Sequence, residues 1–116
     1  MKKSIFFIVL ILISQSVSAA AGWTGKVKVT GIFTLTETQT LVRFSSFNNP
    51  GKCSVNGGHL PDAGHVVFDS SKEKSWFSLF LTASASQKDV DVYVVDKCTP
   101  IWAGSSYAQV GHVRIY

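Results

Sequence analysis

The chain has 116 residues, 46% hydrophobic, 16% charged and 12% aromatic, with two cysteines and a formal net charge of +4. That length holds one small domain rather than several, and the apolar and aromatic content is too high for a disordered chain. No segment carries a catalytic or cofactor signature, so these features bound the architecture and leave the ligand open.

The chain opens with Met1-Lys2-Lys3, an unbroken apolar run from Ile5 to Ile13, and then Ser14-Gln15 followed by small residues up to Ala21. This is the basic, apolar and small-residue pattern of a secretory signal peptide, and the run is too short to span a bilayer. Residues 1–21 are therefore read as a signal peptide of bacterial type, with cleavage expected after Ala19 and with Ala20 or Ala21 as alternatives. The expected destination is the periplasm or the medium. Loss of Lys2 and Lys3 leaves 9 basic against 7 acidic residues, a net charge of about +2 over 22–116. That is too little for the clustered basic face that nucleic acid requires. No second apolar stretch reaches spanning length, so no stable membrane insertion is expected after leader removal.

From Lys26 to Leu35, Val27, Val29, Phe33 and Leu35 alternate with Lys26, Lys28, Thr30 and Thr34, the period of a strand with one buried face. Gly31 interrupts the inward row and marks a bulge or bend. Glu37 to Gln39 turns the chain into a second strand over Thr40 to Phe47. Asn48-Asn49-Pro50-Gly51 and Asn56-Gly57-Gly58 are turn chemistry. A short third strand is expected over His65 to Phe68. Ser70-Ser71-Lys72-Glu73 has capping-box spacing, and a helix is expected from Glu73 to about Ser86, with Trp76, Phe77, Leu79, Phe80 and Ala83 on one arc. Asp89 to Asp96 alternates strictly, with Val90, Val92 and Val94 inward and Asp89, Asp91 and Tyr93 outward. A mixed segment from Ile101 to Gln109 precedes a last strand over Val110 to Tyr116, with Val113 and Ile115 on one face.

Strand-strand-strand-helix-strand-strand is the order of a five-stranded OB-like barrel, mainly β with one helix. An α+β sandwich is the competing geometry. Cys53 and Cys98, an even pair in an exported chain, are expected to form one disulfide between the loop after strand two and the end of strand four. Closing that loop stabilises the domain by roughly 4 kcal/mol in the chain-entropy description.

The segment Gly22-Trp23-Thr24-Gly25, followed by five strands with the helix after the third, resembles the B subunits of AB5 toxins of the subtilase-cytotoxin and pertussis-like group. The chain also resembles small exported bacterial proteins sharing an Asn49-Pro50…Cys53 loop, a helix with an alanine-rich end and a second cysteine after strand four. The first resemblance implies a secreted OB-fold, a pentameric ring and host-glycan binding. It assigns no sugar-contacting residue to a position here.

His59, His65 and His112 are scattered, and Asp62 with His65 lacks a third ligand, so no metal and no cofactor are expected. No nucleophile motif surrounds any serine, and Gly57-Gly58 lacks the helix and lysine of a phosphate loop, so an enzyme is not expected. Tyr93, Trp102 and Tyr107 are the candidate ligand-binding residues, since they lie in or beside the segment after Cys98, where OB-like barrels present contacts. The competing reading has Trp102 plugging the barrel end and Tyr107 capping it. Arg114 and His112 are expected to pair across strands with Asp91 or Asp89, with less than about 1 kcal/mol at stake. The favoured function is an exported, non-catalytic module recognising a glycan or protein, with a homo-oligomer as one form. The alternative is an accessory cell-envelope protein that inhibits or stabilises another exported protein.

Overall fold

The computed structural model describes residues 20–53, 64–102 and 104–116. Most of the expected leader lies outside the described residues, as do His59, Asp62 and the Asn56-Gly57-Gly58 turn. Among the described residues six strands and one helix follow in order: β1 (Gly22–Trp23), β2 (Val27–Thr36), β3 (Gln39–Phe44), β4 (His65–Phe68), α1 (Lys74–Ser86), β5 (Asp89–Pro100) and β6 (Ser106–Ile115). The described chain is mainly β with one helix, and β1 is a strand beyond the five expected.

Five of the strands close on one another. β2 pairs with β3 and β3 with β4, β4 runs parallel to β6, β6 is antiparallel to β5, and β5 returns to β2. The β2–β5 seam is only Val27↔Val90 and Lys28↔Asp89, so the ring is partly closed. This is the OB-like arrangement, with the helix between the third and fourth strands of the ring, and not a sandwich. β1 lies outside the ring on the edge of β5.

The interior is filled by alternate residues from every ring strand: Val27, Val29, Val42, Phe44, Val66, Phe68, Val90, Val92, Val94, Ala108 and Val110. Each buried Val or Phe contributes about 1.5–3 kcal/mol relative to exposure. The strict alternation of β5 is realised, with Val90, Val92 and Val94 at 0% exposure. Phe80 and Ala83 bring α1 onto this core, where the Phe80 ring lies 5.5 Å from Phe68 and 6.2 Å from Phe44.

Some local expectations are corrected. The register of β2 slips between Val29 and Gly31, a bulge beside the expected glycine. The extra residue reverses the alternation. Ile32 then follows Val27 and Val29 toward the core, Phe33 joins Leu41 in an outer cluster, and Leu35 is left 36% exposed. β3 ends at Phe44 rather than Phe47. β5 extends past Cys98 to Pro100, and β6 already begins at Ser106, inside the segment read as mixed. The capping box does not form, because the N-cap Glu73 makes no side-chain cap bond and Ser70 Oγ instead lies 2.8 Å from Thr40 Oγ1. Asp69 organises the turn before the helix, accepting from Ser71 Oγ (2.6 Å), Ser71 N–H (3.0 Å) and Lys72 N–H (3.2 Å). The Ser71 side-chain bond, helped by those amides and the Lys72 charge, holds the Asp69 carboxyl below its usual range.

Cys53 and Cys98 form the disulfide, with Cα atoms 5.6 Å apart. Asn49 shapes the loop that delivers Cys53. Its side chain accepts from Cys53 N–H and donates to Cys53 C=O, both at 3.1 Å.

Candidate binding platform on the outer sheet face

On β5 the odd positions Asp91 and Tyr93 point outward because Val90, Val92 and Val94 point in. On β6 the same rule turns His112 and Arg114 outward, since Val113 and Ile115 pack against the core. Tyr93 is opposite His112 on one side and Trp23 on the other, so three strands line up three rings. Ring centroids are 5.3 Å apart for Trp23–Tyr93, 5.4 Å for Tyr93–His112 and 6.4 Å for Trp23–His112. The Trp23 and His112 planes are inclined by only 23°. Trp23 remains 37% exposed, making it one of the few large apolar side chains left open to solvent among the described residues.

A bulge makes room for the middle ring. The β5–β6 register slips between Tyr93 and Val94, leaving Gly111 between His112 and Val110. A Cβ there would sit 3.2 Å from Tyr93 Cδ2 and 2.8 Å from Val95 Cγ1, so a side chain would push into the Tyr93 ring's resting place.

The rim is charged. The Arg114 guanidinium carbon lies 4.0 Å from the Trp23 ring centroid, a cation–π contact, and its Nη2 is 3.9 Å from Asp91 Oδ2. Asp91 is thus the expected cross-strand partner of Arg114, whereas Asp89 pairs with Lys28 at 2.7 Å. His112 faces Tyr93 and Trp23 rather than either carboxylate.

Trp23 is delivered by a short N-terminal strap. Thr24 N–H donates to Val92 C=O (2.9 Å), Val92 N–H to Thr24 Oγ1 (3.1 Å) and Gly25 N–H to Asp91 Oδ1 (3.0 Å). Asn48, in the loop that leads to Cys53, donates to Trp23 C=O at 3.1 Å. Gly25 turns the strap into β2 at φ +78°, in the left-handed region that glycine enters without a Cβ penalty.

Of the three residues expected to meet a ligand, only Tyr93 stands in this platform. Tyr107 is 1% exposed and forms a separate outer cluster with Leu41 and Val67, against which Phe33, Ile101 and Trp102 pack. Trp102 meets the Tyr107 ring edge-on at 6.2 Å, and His65, 1% exposed, lies between Phe33 and Tyr107. Trp102 and Tyr107 therefore pack against one another on this outer cluster. Sequence pattern does not single out Trp23, because a two-residue strand shows no period and its partner Tyr93 lies far along the chain.

Among the described residues no group of three His, Cys, Asp or Glu side chains is placed to hold a metal ion, and no helix is long and apolar enough to cross a membrane. Comparisons with known protein families, curated proteins and solved structures return no match for this chain.

Proposed function

We propose that this chain is an exported, non-catalytic binding module that holds a saccharide on the Trp23–Tyr93–His112 platform. The carrying observation is the row of three rings brought together from β1, β5 and β6 with an exposed tryptophan at one end. Flat apolar faces with polar edges suit the C–H face of a sugar ring, and the exposed Arg114 guanidinium at the rim supplies donors for its hydroxyls. The disulfide fits the oxidising compartment that the leader implies. A single open face binds weakly, so several copies in one ring, as in the toxin B subunits that the chain resembles, would raise avidity without new contacts.

A glycan array probed with the purified chain, alongside Trp23→Ala, tests this reading, and light scattering reports the oligomer. Array binding that Trp23→Ala abolishes is the expected result. A silent array, together with stoichiometric capture of one periplasmic protein, would replace it with the accessory cell-envelope role.

A further inference from the structure

Two parts of the platform converge on one side chain. Asp91 Oδ1 accepts the Gly25 amide that ends the strap, and Asp91 Oδ2 faces Arg114, which itself lies over the Trp23 ring. The Asp91 side chain is only 14% exposed although it stands on the outer sheet face, whereas Arg114 is 54% exposed. A carboxylate that shielded needs partners, and among the described residues these are the strap amide and the guanidinium. Among the described residues the strap is otherwise held by its two residue pairs and the Thr24–Val92 exchange with β5, the Trp23 ring on Tyr93, and the Asn48 bond from the neighbouring loop.

We infer that Asp91 is the positioning residue of the platform, fixing Trp23 through the strap and Arg114 through its charge, so that the aromatic site exists only while the strap is docked on β5. This inference rests on the platform reading for its functional meaning, but the docking itself is independent of any ligand. Asp91 touches no ligand in this role. Its removal leaves Tyr93 and His112 in place on their own strands and frees Trp23 and Arg114 together.

The test compares wild type, Asp91→Ala and Asp91→Asn in the full chain by NMR. Arg114 side-chain protons above the Trp23 ring are expected to resonate upfield in wild type and to move to their ordinary positions in Asp91→Ala. In that variant the Thr24 and Gly25 amides should exchange about tenfold faster, the scale of one lost hydrogen bond to a charged group, while amides of β3 and β4 keep their protection. Asp91→Asn retains an acceptor for Gly25 but not the charge, and should restore strap protection without restoring the Arg114 shifts. Unchanged Arg114 shifts and unchanged Thr24 and Gly25 exchange in Asp91→Ala would overturn the inference. So would equal loosening of β3 and β4, which would make Asp91 a general stability residue. The variants are also applied to the glycan array: a loosened strap with a silent wild-type array retires the saccharide reading and leaves the positioning role standing.

Discussion

Removing the Cys53–Cys98 cross-link by Cys53→Ala with Cys98→Ala perturbs both the stability of the barrel and the support of its platform. The two residues are 45 apart in sequence, and freeing a loop of that size in the denatured chain costs about 4 kcal/mol. Folded stabilities of small domains run to only about 5–15 kcal/mol. At about 4–8 °C per kcal/mol for a domain of this size, the melting temperature should fall by about 15–30 °C. Equilibrium urea unfolding followed by circular dichroism measures the change, and the urea slope should rise because the uncross-linked denatured chain exposes more surface. The loss has a local component. The loop ending at Cys53 carries Asn48, which bonds the Trp23 carbonyl, so strap amides should lose protection at urea concentrations where the barrel core is still folded. A stability loss under about 1 kcal/mol with an unchanged slope would refute the loop-closure reasoning.

Three further outcomes follow from particular contacts. Phe80→Ala empties the site where α1 meets Phe44 and Phe68, and should cost about 3–5 kcal/mol in urea unfolding; a cost near that of a surface change would mean that the helix does not seal the core. Gly111→Ala should cost about 1–3 kcal/mol and displace the Tyr93 ring, seen as changed Tyr93 and His112 ring resonances. Asp69 has its carboxyl held below the usual range by Ser71 and the turn amides. The turn is therefore fully stabilised above the unfolded-state carboxylate pKa and loses that support as pH falls through the lower folded value. Exchange at the Ser71 and Lys72 amides, corrected for intrinsic rates, should speed up only in that acidic window, and Asp69→Asn should remove the pH dependence.

The pattern of β5 was legible because six residues alternate without interruption and all three valines meet the same core. β2 was legible only as far as its bulge. Gly31 signals an irregularity, but a period-two reading carries no information about which way an inserted residue shifts the phase, so it sets Phe33 and Leu35 on the inner face that the bulge turns them away from. The helix starts within one residue of the expected Glu73, but its capping box does not form, because Asp69, one residue before the expected cap, satisfies the turn amides with a charged acceptor, and Ser70 turns to Thr40. At the candidate site, Tyr93, Asp91, Arg114 and His112 could be placed on outward faces from alternation alone. Trp23 could not, since what makes it part of a platform is the docking of a two-residue strand onto β5. Conversely, Trp102 and Tyr107 were visible as aromatics near a loop, but whether such rings face solvent or each other is decided by the outer face of β3 and β4, which supplies Leu41 and Val67 as a floor.

The most direct measurement is an NMR titration of the isotope-labelled chain with a saccharide that scores on the array, following the three tryptophan indole N–H signals together with the tyrosine and histidine rings. Saturable shifts confined to Trp23, Tyr93 and His112, with Trp102 and Tyr107 unmoved, are the predicted result. Shifts centred on Trp102 and Tyr107, or none at concentrations that saturate the array, would contradict a binding platform on β1, β5 and β6.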